Sequence, residues 1–276
     1  MVRTWPRLKF HLQVLFYTTL GVAAVVIPTY QMCTSVHPLR WGAALAGVLA
    51  TTAYLIWVYR SWADLPWLGG SIHQGVKGHN RIAFTFDDGP NHEHTAAVLD
   101  VLKRHGARGT FFCVGRLAAE QPELIQRMAA EGHDIGNHTH QHRKLSWESP
   151  RGIDFQIDSA QAAIAQAGVP TPTLFRAPHG FKSPFLPAAL RSRGMRLCAW
   201  SVDVQDFQSP GTDVLVRRGW NGLRDGEIVL MHDGGGERSQ TAEALDRFLV
   251  ECRRRGLQAV TLSELLSAPA ASAAAR

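Results

Sequence analysis

From residue 81 onward, short apolar runs alternate with longer stretches whose apolar residues recur at helical spacing. Residues 81–86 (RIAFTF), 110–114 (TFFCV), 174–176, 196–201 (RLCAWS), 227–231 (EIVLM) and 258–260 predict strands. Residues 93–105, 118–131, 150–167, 184–193 and 240–254 predict helices; in the first, Val98, Leu99, Val101 and Leu102 form the buried stripe. Residues 133–136 are too short for periodicity to decide. Repeated strand–helix units imply a mostly parallel sheet covered by helices. About seven strands over this length predict an α/β fold, an incomplete (β/α) barrel.

The pattern before residue 81 is different. Residues 12–30 (LQVLFYTTLGVAAVVIPTY) and 41–59 (WGAALAGVLATTAYLIWVY) carry no charge. Each approaches the ~20 residues that a helix needs to cross a bilayer. Tyr30, Trp41, Trp57, Tyr59 and Trp62 sit at their ends, as interfacial aromatics do. These runs predict a two-helix transmembrane hairpin over 1–60, against a cleaved signal peptide or a buried core helix. A linker over 61–80, a globular domain over 81–267 and a small, Ala-rich disordered tail over 268–276 complete the expected organisation. The basic flanks place both termini inside, so the expected location is the inner (cytoplasmic) membrane, with the globular domain on the cytoplasmic side.

Composition narrows the function. The chain has 276 residues and a formal net charge of +6. Residues 1–80 hold six Lys/Arg and one acid, and the rest holds 23 Lys/Arg and 22 Asp/Glu, so the excess belongs to the apolar N-terminal stretch. A nearly neutral domain excludes a nucleic-acid footprint. Four cysteines with no CxxC pairing argue against a disulfide scaffold or zinc ribbon.

The candidate chemistry lies after the strands. Asp87 and Asp88 end the first strand in TFDDGP, and adjacent carboxylates repel unless they share a cation or proton. In NHTHQH (137–142), His138 and His142 are four apart, so one helical turn would aim both at one metal. His140 would point elsewhere. With an acidic strand end nearby, the pair predicts an Asp–His–His site with positions open to water. RAPHG (176–180) offers the Arg176 guanidinium to clamp a carboxylate, then a rigid turn after Pro178 whose backbone N–H groups can face an oxyanion. DVQDF (203–207) gives a carboxylate and an aromatic wall, and Leu230-Met231-His232 ends an apolar strand on a histidine suited to acid work.

In this order, the five motifs make residues 81–266 resemble the NodB-homology polysaccharide deacetylases, carbohydrate esterase family four. The resemblance implies a distorted (β/α) barrel and metal-dependent hydrolysis of an N-acetyl group on an amino sugar. It assigns Asp87 as catalytic base, Asp88, His138 and His142 as metal ligands, and Arg176 as the residue orienting the base. Asp206 tunes the acid and His232 is that acid; Phe207 and Leu230 line the acetyl pocket. His179 stands where Tyr is usual and Phe207 where Trp is usual, which alters substrate shape and removes no catalytic group. The ligand set suits Zn²⁺ by default, with Ni²⁺ or Co²⁺ also suited.

The expected substrate follows from topology. A domain tethered on the cytoplasmic side meets an N-acetylhexosamine carried on a polyisoprenyl phosphate, as the family's membrane-helix members do. The other reading is extracytoplasmic peptidoglycan or exopolysaccharide. A third, of a different class, is an inactive sugar-binding module. The oligomeric state is not legible in the sequence.

Overall fold

Six of the seven residues of β1 (Arg81–Asp87) are buried, as expected of a central strand covered on both faces. It is the hub of the computed structural model, which describes residues 47–53, 55, 70–180 and 182–267. The other strands are β2 (Thr110–Cys113), β3 (Asp134–Asn137), β4 (Leu174–Phe175), β5 (Arg196–Leu197), β6 (Val202–Asp203), β7 (Ile228–His232) and β8 (Gln258–Ala259). Seven follow the order β5-β4-β3-β2-β1-β7-β6, and β8 pairs with the start of β1. Every strand pair is parallel. The sheet curls into a half-barrel, so the parallel barrel-like fold expected from the alternating pattern is present.

The ends of the sheet are bridged by the incoming chain. Ile72 pairs with Cys198, just past β5, and Gln74 pairs with Glu227, just before β7. Residues 72–76, expected as linker, therefore hydrogen-bond into the sheet. The expected strand 196–201 is broken for the same reason. The Cys198 N–H still donates to Phe175 of β4, but the next residue, Ala199, donates to the Ile72 carbonyl, and a separate strand starts at Val202.

Period-two alternation sorts β1 between two environments. Phe84 and Phe86 pack outward against the helices α1 (His94–His105), α3 (Pro122–Ala130) and α7 (Ser239–Arg254) in the main core. Ala83 faces the interior cluster with Phe112, and Thr85 and Asp87 share that face. A side chain at Gly136 in β3 would meet the Phe112 ring at 2.5 Å. Glycine there lets the ring lie flat inside the barrel, where the Arg176 guanidinium stacks over it at 4.1 Å.

The remaining helices are α2 (Gly115–Glu120), α4 (Pro150–Gln166), α5 (Leu186–Arg191), α6 (Thr212–Trp220) and α8 (Leu262–Leu266). The single helix expected over 118–131 is two, because Pro122 cannot donate and restarts the helix after a non-helical Gln121 (φ -137, ψ 58). Residues 133–136, left ambiguous, contribute to β3.

The chain divides into two units between Leu65 and Pro66. In the first, residues 47–53 and 55 are helical. The rest of the expected hairpin, most of 61–70 and the tail 268–276 lie outside the described residues. Among the described residues, no helix is long and apolar enough to cross a membrane.

Candidate active site

Register brings the two ends of the chemistry together. Asp87 and His232 are directly paired Cα partners on β1 and β7, both at the strands' C-terminal ends. The turn after Asp87 puts Asp88 at φ 75 and runs on through a cis Gly89-Pro90 bond. Asp87 therefore stays on the barrel's interior face, while Asp88 swings toward the histidines leaving β3.

Those histidines are not on a helix, so the helical spacing expected to pair them is absent. His138 follows β3 in extended chain, and the next residues form a tight irregular loop with Thr139 at φ 67 and His142 at φ 57. The Asn137 side chain pins this loop by accepting from the Thr139 N–H (2.8 Å), and the Thr139 hydroxyl accepts from the His142 N–H (3.0 Å). The outcome matches the spacing argument for a different reason. His138 Nε2 and His142 Nε2 lie 3.3 and 2.9 Å from the same Asp88 oxygen. His140 turns away and packs edge-on against Phe155.

The three groups fit a divalent cation. Their ligand atoms all lie within 4.8 Å of one another. His138 Nδ1 donates to the Arg176 carbonyl at 2.8 Å, which fixes the tautomer that leaves Nε2 as a ligand. Burial alone would raise the Asp88 carboxyl, but its hydrogen bonds with His138 and His142 hold it far below the usual carboxylate range. Burial likewise lowers His138, yet the charges of Asp87 and Asp88 outweigh it and push the imidazole up. The pocket is thus electronegative enough to draw in a positive charge. Two imidazoles and a carboxylate suit zinc, nickel or cobalt.

Arg176 is buried, with 1% exposure, and reaches across the barrel. It donates to Asp87 Oδ1 (2.7 Å), the Thr85 hydroxyl (2.8 Å) and the Ala199 carbonyl (3.0 Å). Asp87 is therefore held in one orientation, with its other oxygen, Oδ2, directed at the metal side, 3.8 Å from His138 Nε2.

Across the cleft, Asp206 is wholly buried. Its Oδ1 meets His232 Nδ1 at 2.6 Å, and its Oδ2 accepts from the His232 N–H and the Thr241 hydroxyl, each at 2.8 Å. Burial would lower His232, but the Asp206 hydrogen bond, then the charges of Asp206, Asp87 and Asp88, raise it to about 9. The imidazole is thus protonated at neutral pH.

Phe207 is half-exposed, its ring 5.8 Å from His232, and Leu230 lines the cleft beside it. His179 sits in the turn Pro178–Gly180 at φ 56, its ring 4.7 Å from that of His142. Pro178, the first residue of that turn, is buried. Asp87, Asp88, His138, His142, His179, Phe207, Leu230 and His232 line one cleft of about 420 Å³, whereas Arg176, Asp206 and Pro178 are not part of its lining.

Sequence reasoning missed Trp200, Gly235 and Arg238, which also line this cleft. Trp200 stood inside an expected strand, and nothing marked it. The GGGER run (234–238) carried a signal in its three consecutive glycines. A side chain at Gly235 would sit 2.8 Å from Asp88 Oδ2.

Comparison with known proteins agrees with this arrangement. Residues 74–198 match the polysaccharide deacetylase family model. A peptidoglycan-N-acetylglucosamine deacetylase of Bacillus cereus is 37% identical over 187 residues, covering 67% of this chain and 87% of the relative. A chitooligosaccharide deacetylase of Bradyrhizobium sp. is 40% identical over 202 residues, covering 69% of this chain and 92% of the relative. A solved peptidoglycan N-acetylglucosamine deacetylase superposes with a TM-score of 0.71 at 28% identity, covering 74% of this chain and 97% of the other. The extent of these matches and the motifs gathered in one cleft lead to one conclusion: the chain belongs to the polysaccharide deacetylase family and is a carbohydrate N-deacetylase.

Proposed function

We propose that this enzyme hydrolyses the acetamide of N-acetylglucosamine residues within a glycan, of the peptidoglycan or chitooligosaccharide type. The observation that carries this reading is the Asp88–His138–His142 cluster opening onto the same cleft as Asp87 and His232. The choice of a glycan is supported by relatives named for peptidoglycan and chitooligosaccharides. It is preferred to the lipid-linked amino sugar, whose support came from the expected topology of residues 1–60, nearly all outside the described residues. The inactive-module reading is disfavoured because the side chains assigned as ligands, base and acid converge on one cleft.

A divalent cation held by Asp88, His138 and His142 would polarise the acetyl carbonyl and acidify a water beside it. Asp87, oriented by Arg176, takes the proton of that water as its oxygen adds to the carbonyl carbon. The backbone N–H after Pro178 faces the oxyanion that forms. Phe207 and Leu230 enclose the acetyl methyl. His232 Nδ1 donates to Asp206, which leaves Nε2 to protonate the departing amine as the C–N bond breaks. Acetate and a free amino sugar result.

The direct test is acetate release from N-acetylated chitotetraose and from intact peptidoglycan by the metal-loaded protein. Turnover of either supports the glycan reading. Turnover confined to a polyisoprenyl-phosphate-linked N-acetylhexosamine would replace it with the lipid-linked one.

The acid assignment predicts a pH effect. His232 loses its proton as pH rises through about 9, so kcat/KM falls on that alkaline limb. Asp206→Asn removes the carboxylate that holds the proton on. The limb should then move down, toward the ordinary imidazole value of 6.5. A limb that stays in place in the pH–rate profile of Asp206→Asn would assign the proton donor elsewhere.

A further inference from the structure

Arg238 has no part in the chemistry above, yet it lines the same cleft with only 4% of its surface exposed. Its terminal nitrogens donate to the carbonyls of Glu237 (2.7 Å) and Gly235 (3.1 Å). Its Nε is buried without a hydrogen-bond partner. Among the described residues no carboxylate is paired with it. The adjacent Glu237 carboxylate instead accepts from the Ser239 N–H and approaches His94 at 3.7 Å. Asp203, another acid on the cleft, accepts from the Gln205 N–H.

The glycine run separates this guanidinium from the metal ligands with backbone alone. Gly235 abuts Asp88 Oδ2, and a side chain at Gly236 would lie 3.5 Å from Arg238 Nη1. A buried, always-charged guanidinium without a counter-ion costs free energy unless an anion offsets it. Its donor fork fits the oxygens of a carboxylate or phosphate.

We propose that Arg238 is a specificity-determining residue that binds an anionic substituent, carboxylate or phosphate, carried by the glycan close to the acetamide being hydrolysed. This rests on the reading that the cleft holds an acetylated glycan. The neutral parts of the sugar need no such partner, so the preference for a charged chain comes from this one side chain.

The test compares three tetrasaccharides on the metal-loaded full chain: neutral N-acetylated chitotetraose, a muramyl-containing one bearing lactyl carboxylates, and a 6-phosphorylated chitotetraose. The quantity read is the ratio of kcat/KM for a charged substrate over the neutral one. Wild type should favour one of the charged substrates, and which one distinguishes carboxylate from phosphate. Arg238→Gln should reduce that ratio by about tenfold or more, as expected for loss of a charge-assisted contact. Arg238→Lys should retain part of it. Calorimetric Kd ratios for the same three glycans read the same contact without turnover, so a failure of the deacetylase reading is seen separately. Equal ratios in wild type and Arg238→Gln, by either measurement, would overturn the proposal. So would a wild type that prefers the neutral chain.

Discussion

Asp87→Asn should lower kcat/KM by about 10²–10⁴, the usual contribution of a positioned general base, while the bound metal stays in place. The two results separate because Asp87 approaches the metal side only through Oδ2 and is tied to Arg176 through Oδ1. The variant should also be less stable. Arg176 has 1% exposure, and Asp87 is the only carboxylate paired with it among the described residues. Breaking a buried ion pair from one side costs about 3–5 kcal/mol. Asn keeps an oxygen as acceptor, so the lower end applies. For a domain of this size that is a drop of about 6–12 °C in Tm. Metal analysis, steady-state kinetics and a thermal melt on one preparation check all three. Near-wild-type turnover would remove Asp87 from the base role.

The second large effect concerns the ligands. His138→Ala or His142→Ala takes the protein from three ligands to two, so metal content and activity should fall together. Loss of His142 opens the exposed side of the site. Loss of His138 also frees the Arg176 carbonyl that it caps, so His138→Ala should be the more destabilising. His140→Ala should leave metal content within the error of the measurement, because His140 faces Phe155 on α4. Metal measured by mass spectrometry after gel filtration separates these outcomes. An empty site in His140→Ala alone would mean that the ligands are misassigned.

Much of the site was legible because strand ends are local in sequence. TFDD ends β1 and LMH ends β7, and strand-end chemistry follows once the alternation shows parallel strands. What could not be read was long-range. The reach of Arg176 to Asp87 depends on Phe112 lying flat beneath it, and that depends on a glycine at 136 in another strand. The convergence of His138 and His142 was inferred from helical spacing and arises instead from two residues at positive φ, which spacing does not report.

The same distinction explains the fold. Amphipathic stretches such as 150–167 and 240–254 were found within a residue or so of their ends, because burial of one face dominates them. Helix α6 was missed because its nine residues bury only Leu215 and Gly219, and a buried glycine carries no hydrophobic signal. Helix α8 was missed although Thr261 and Glu264 form a capping box, since five residues are too few to show a period. The role of 72–76 was hidden by their polar and glycine content. They are held by backbone hydrogen bonds across the opening of the half-barrel, and side-chain pattern does not report backbone pairing.

Metal reconstitution against acetate release bears most directly on the central claim that Asp88, His138 and His142 hold the cation used by Asp87 and His232. The protein is stripped with a chelator, verified metal-free and titrated with Zn²⁺ while deacetylation of N-acetylated chitotetraose is followed. Activity should be absent at the start, rise in proportion to metal bound and level off at about one ion per chain, the number one three-ligand site can hold. Undiminished acetate release from the verified metal-free protein would contradict the account.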